Sequence, residues 1–169
     1  LCPVSLFAMV MGFAGFTLSS QPGERLGLLP RGIGTAGAAL TLLLLAGLLA
    51  LYGAKAWWHR GRVREELHHP VRMSFFPAIS ISFVLAGTVL LPLAPGVSLW
   101  LWAVGATAHL LLVLLILSFW IHHQGFEIQH SNPAWFIPMV GNVLVPIAGV
   151  AHAPVELSWF FFSVGMLFW

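Results

Sequence analysis

Ser80 and Asn142 are polar side chains set inside long apolar runs. A hydroxyl or a carboxamide in such a place does one of two things. It hydrogen-bonds across to a neighbouring helix, or it faces a water-filled path and offers donors and acceptors to what passes. The spacing around both is helical. Phe76, Ser80, Phe83 and Gly87 share one face of one segment, and Pro138, Asn142, Val145 and Gly149 share one face of another. Each face combines a bulky group, a polar group and a gap. Residue types alone leave close packing and path lining equally open.

Eight histidines raise the question of metal or haem chemistry. A bis-histidine haem needs two axial imidazoles at matching depth on adjacent helices. Only His109 is deep within an apolar run, with His152 near the end of another; His59, His68, His69, His122, His123 and His130 fall in polar connections and read as interface residues. The small residues of GATAH beside His109 suit a helix or subunit contact. A single cysteine, Cys2, excludes an internal disulfide and a multi-cysteine metal site. There is no glycine-rich phosphate loop and no nucleophile elbow. Glu127 and Glu156 lie near helix ends, so no buried proton relay is visible. The expectation is a protein that is not an enzyme, holds no metal or cofactor and binds no nucleic acid.

The elements that position these residues follow from composition. Of 169 residues, 59% are hydrophobic and 7% charged, against about 25% charged in soluble domains. That is too little polar side chain to cover a water-facing surface, so the bilayer is the expected partner and the fold class an all-α integral membrane protein. A spanning helix takes roughly 20 apolar residues. Six such runs are predicted, at about 3–20, 33–57, 70–93, 97–121, 133–152 and from 154 onward. They form one membrane domain over 1–169, in hairpins of about 3–57, 70–121 and 133–169. The ends, LCPVSLF and SWFFFSVGMLFW, read as cut from a longer protein. Lys55, Arg60, Arg62, Arg64 and Arg72 cluster in one connection and Arg25 and Arg31 in another. The positive-inside rule then puts the 55–72 connection, and by parity the N-terminus, in the cytoplasm. Trp57 and Trp58 are expected at the inner headgroup belt.

The runs alternate in character. The second and fourth, LTLLLLAGLLALYG and HLLLVLLILSFW, are leucine surfaces suited to lipid. The first, third and fifth carry Gly, Pro, Phe, Ser and Asn. Kinks are expected at Pro77, Pro138 and Pro146, because an interior proline frees a carbonyl that needs a partner in lipid. Such helices belong inside protein or along a cavity. A shift of 61 residues places His69, Phe75, Pro77 and Val84 on His130, Phe136, Pro138 and Val145, which suggests a repeated hairpin. Asn132-Pro133 reads as a helix start, with Asn as cap.

HPVRMSFFPAISIS at 69–82, NPAWFIPMVGNVLVPIAG at 132–149, SWFFFSVGMLFW at 158–169 and LFAMVMGFAGF at 6–16 resemble, in order, the tellurite-resistance/dicarboxylate-transporter family, which includes bacterial tellurite-resistance proteins, fungal malate and sulfite transporters and the plant guard-cell slow anion channel. The resemblance implies a ring of ten helices in five hairpins, with odd helices inside around a central pore and even helices outside. This chain would hold three of the five hairpins. It also implies a homotrimer, a bacterial inner (plasma) membrane location, and passage of small inorganic or organic anions. Tellurite, chloride, nitrate, sulfite and malate are all compatible with it. The phenylalanine that closes the family's pore lies on a ninth helix, outside this chain. The implied pore-lining residues are Phe7, Met11, Phe76, Ser80, Phe83, Pro138, Gly141 and Asn142. On this reading Ser80 and Asn142 would donate weak hydrogen bonds to a partly hydrated anion. The alternatives are a proton-coupled dicarboxylate or sulfite transporter on the same fold and, more remotely, a haem-bearing respiratory subunit. Three hairpins alone would leave inner faces bare, so the isolated piece is expected to be unstable.

Overall fold

A computed structural model describes residues 2–122 and 133–168. Among them every regular element is helical. Helix α1 (Phe7–Arg25) follows a short 3-10 turn, α2 is Ile33–Trp58, α3 Arg60–His68, α4 Pro70–Met73, α5 Pro77–Leu90 and α6 Pro95–His122. A second 3-10 turn, Pro133–Trp135, leads into α7 (Phe136–His152), and α8 is Val155–Phe168. Five spans are long and apolar enough to cross a bilayer: Val4–Arg25, Ile33–Trp58, Val71–Leu90, Pro95–Phe119 and Pro133–His152. Over its described residues α8 is a shorter apolar helix. The chain is a multi-pass membrane protein, as its composition requires. Asn132, His123, Glu127 and His130 lie outside the described residues.

Two expectations about local structure change. The connection after the second span is helical: α3 is built from Arg, Glu and Leu, which are good helix formers. The prolines also act differently from interior kinks. His69 caps α4, its Nδ1 accepting from the Val71 N–H at 3.3 Å, with Pro70 in the first turn. The helix breaks at 74–76, and Pro77 then opens α5 as its first residue. Pro138 stands in the first turn of α7. A missing N–H costs no intrahelical bond at either place, because first-turn donors have no partner within the helix. Only Pro146 of the three is interior. It deprives the Asn142 carbonyl of its usual donor. One residue before it, the Val145 carbonyl accepts the Trp102 indole N–H from α6 at 2.8 Å.

The helices form two layers. α1, α5 and α7 touch in that order. α2 packs on α1 and also on α5; α6 packs on α5 and also on α7; α8 packs on α7. α2 and α6 thus each cover their own hairpin partner and the inner helix of the next hairpin. α5 sits at the centre, with all its residues buried except the half-buried Ile79 and Phe83. Glycines set the α5–α6 distance. A Cβ on Gly87 would lie 2.9 Å from the Ser98 carbonyl oxygen, and one on Gly105 2.7 Å from the Val84 nitrogen, so both backbones approach to a distance that only glycine allows. Polar side chains stitch the inner layer. The Ser82 hydroxyl lies 2.6 Å from the Ala78 oxygen of its own helix and 3.3 Å from the Phe7 oxygen of α1. Gln21 donates from α1 to the Val89 carbonyl of α5 at 2.9 Å.

Candidate pore wall

α5 places its functional candidates by contact with its four neighbours. Ser80 donates to the Pro77 carbonyl at 2.8 Å, and its oxygen lies 3.0 Å from Nδ1 of His109 on α6. Which of the two donates is set by the imidazole tautomer. His109 is wholly buried and ends against α7, where its ring occupies the space a Gly141 side chain would need. Phe7 and Phe76 both meet the edge or face of Tyr52 on α2, at ring-centre distances of 6.0 and 6.3 Å. The Cβ of Phe83 faces Gly105 of α6, and the Cβ of Asn142 faces Gly165 of α8.

These contacts set what the expected lining residues touch within the three hairpins. Phe7 and Phe76 meet α2, Ser80, Phe83 and Gly141 meet α6, and Asn142 meets α8. Gly141 also lies against Ile81 of α5. Phe7, Ser80, Pro138, Gly141 and Asn142 are also buried among these hairpins, while Met11, Phe76 and Phe83 are half-buried. The side chains bind the two layers together. Asn142 confirms the point. Its amide nitrogen donates to Pro138 and Met139 carbonyls of its own helix, at 3.2 and 3.1 Å.

Met11 alone of the eight belongs to the strip where the inner helices meet. α1 contributes Met11, Ala14 and Leu18, α5 Ile81 and Leu85, and α7 Ile137 and Leu144, in one cluster that Ala38 and Leu42 of α2 and Leu101 of α6 also join. Every member is apolar. The sequence offered a signal for this strip in the i, i+3, i+7 spacing of 11, 14 and 18. The polar residues drew attention away from it.

The ends carry the polar chemistry. Near the start of α1, Lys55 is paired with Glu66 of α3 at 2.8 Å, with both side chains buried at 4% and 8% exposure. Tyr52 donates to the same carboxylate at 3.0 Å, and Lys55 also donates to the Cys2 carbonyl at 2.9 Å. This network fastens α3 under the first hairpin. At the other end the Glu24 carboxylate accepts from the Gly32 and Gly34 N–H groups at 2.5 and 2.9 Å and closes the α1–α2 turn, where Gly27 and Gly32 take positive φ. Ser98 donates to the Gly87 carbonyl at 2.7 Å, and its oxygen lies 2.7 Å from His152 Nε2. His109 and His152 are therefore both engaged in helix contacts.

Comparison with known proteins adds the lineage. The profile described as "SLAC1: Voltage-dependent anion channel" matches residues 2–169. A tellurite resistance protein TehA homolog of Haemophilus influenzae is 27% identical over 99% of this chain and 51% of its own length. The S-type anion channel SLAH3 of Arabidopsis thaliana is 26% identical over 97% of this chain and 27% of its own. An uncharacterized transporter of Methanocaldococcus jannaschii is 31% identical over 53% of this chain and 26% of its own. The chain thus spans about half the length, or less, of these curated relatives. With apolar spans in two layers, inner helices joined in order and a match running from Cys2 to Trp169, the chain belongs to the SLAC1 voltage-dependent anion channel family.

Proposed function

We propose that this chain forms part of the wall of an anion-conducting path, and that it works as a channel and not as an enzyme. The observation that carries the reading is the division of labour among the inner helices. Ser80, Phe7 and Phe76 reach the outer layer, Ser82 and Gln21 tie α1 to α5, and apolar residues of α1, α5 and α7 share one cluster. A smooth apolar surface holds no anion tightly, and weak holding is what conduction requires. The relatives named for anion channels and tellurite resistance support the same class of cargo.

On this reading the complete protein sits in a bacterial inner membrane as a homotrimer, with the N-terminus and the 55–72 segment on the cytoplasmic side. The support is the five Lys and Arg gathered in that segment. The test is flux of chloride, nitrate and malate through proteoliposomes holding the complete protein. Flux that follows the anion's own gradient and the voltage is expected. Flux driven by an imposed proton gradient would replace the channel with a proton-coupled dicarboxylate or sulfite transporter, and vesicles tight to all three anions would sink both.

A further inference from the structure

α1 and α5 are inner helices in contact, and each end of their seam opens into a cavity. Where the two helices begin, about 330 Å³ lies between Pro3, Val4 and Ser5, helix α3, and the residues leading into α5. Its charged lining is Lys55, Arg62, Arg72, Glu65 and Glu66. Where they finish, about 480 Å³ lies between the last turn of α1, the start of α2 and the Pro92-Leu93 turn. Its charged lining is Glu24, Arg25 and Arg31. Five of the seven Lys and Arg in the chain therefore line one of two cavities at opposite ends of one seam. At about 1.5 Å per helical residue, the ends of α1 are on the order of 30 Å apart, the thickness of the hydrocarbon core.

The carboxylates offset part of this charge. Glu66 is neutralised by Lys55 and takes the Tyr52 hydroxyl, and Glu24, held by two backbone N–H groups, keeps its charge beside Arg31. Positive charge is in excess in both cavities: Arg25 and Arg31 stand against Glu24 at one end, and Arg62 and Arg72 against Glu65 at the other.

We propose that these two cavities are anion vestibules, in which the arginine pairs concentrate small inorganic and carboxylate anions at both mouths of the α1–α5 seam. The proposal rests on the anion-path reading and adds to it where the selecting charge resides. A guanidinium offers a fork of donors to oxyanions, and a positive cleft raises the local concentration of anions without a deep binding well. Charge at the mouths and an apolar strip between them let an anion be gathered and still leave.

The experiment is nitrate flux in proteoliposomes of the complete protein, at ~0.01 M and ~1 M salt, where screening lengths are about 30 and 3 Å. Arg25→Gln with Arg31→Gln, and separately Arg62→Gln with Arg72→Gln, are compared with wild type and with the matching Lys variants. Each Gln pair is expected to cut flux about threefold or more at low salt, the effect of losing a local potential of roughly one kT. The deficit should vanish at high salt, and the Lys pairs should retain flux. Flux that ignores all four arginines would overturn the vestibules while leaving the path. A deficit equally large at high salt would assign the arginines to structure, and one that appears only in phosphatidylglycerol vesicles, not in phosphatidylcholine, would assign them to lipid headgroups; either overturns the proposal. Wild-type vesicles tight to anions at both salt levels would overturn the path reading and this one with it.

Discussion

His109 Nδ1 lies 3.0 Å from the Ser80 hydroxyl, and the rest of its ring fills the place of a side chain on Gly141. One imidazole on α6 thereby fixes the spacing of α5 and α7 deep in the membrane. A Cβ on Gly141 would stand 2.6 Å from His109 Nε2, and the ring is held on its other side by Ser80. Gly141→Ala is therefore expected to destabilise the protein by about 1–3 kcal/mol, as overpacking does. Adding His109→Ala should recover most of the loss. Thermal unfolding in detergent of both singles and the double checks it, and additive losses would show that the two residues do not interact.

Asn142→Leu gives the contrary expectation. The carboxamide donates only to carbonyls of its own helix, and its oxygen has no partner among the described residues. The two side chains are close in size, so the change should cost less than about 1.5 kcal/mol and leave nitrate conductance unaltered. From sequence, Asn142 reads as a donor to the passing anion, and its removal would lower conductance. Parallel unfolding and flux measurements decide between the two; lowered flux at normal stability would return Asn142 to the path.

Met11 is half-buried in the cluster shared by the inner helices. Met11→Trp adds bulk there, and strongly reduced flux is expected in a protein that still elutes normally on size exclusion. Leu43→Trp, at an exposed position of the outer helix α2, should have little effect. Equal flux in the two variants would move the wall away from Met11.

Glu66 is the carboxylate of a buried ion pair with Lys55. Removing one member of a buried pair strands the other, typically at a cost of 3–5 kcal/mol. Glu66→Ala is expected to lower stability on that scale, to free α3 for proteolysis, and to do far more harm than Glu65→Ala. Lys55→Met with Glu66→Leu should restore most of the stability. Limited proteolysis between Arg60 and His68, followed with unfolding, tests all three.

The spans were legible because membrane insertion is a matter of length and apolarity, and each run from α1 to α7 carries its own signal. The layer assignment was legible too, since Leu-rich α2 and α6 lie outside Ser-, Gly- and Pro-rich α1, α5 and α7. The facing of individual residues was not. Ser80 and Asn142 lie at helical positions that fit a lumen or a neighbour equally well, and only the location of His109 and Gly165, distant in sequence, decides between them. Helix α3 was hidden because its anchor, the Lys55–Glu66 pair, joins residues whose charges read as topology signals. Pro77 and Pro138 misled for a local reason. A proline's effect depends on its distance from the helix start, and the break at 74–76 and the turn at Pro133–Trp135 set that distance.

The stagger of the outer helices bears on how the molecule is made. α2 has most of its seat on α1 and the rest on α5, and α6 stands in the same relation to α5 and α7. A hairpin leaving the ribosome therefore enters the bilayer with one flank of its outer helix still facing lipid, and the following hairpin closes that flank. Assembly proceeds in the order of synthesis, each step completing the joint begun by the one before. The same joint recurs at every step, so a fold of this kind grows by repeating one connection, and an error in one hairpin is felt first by its successor.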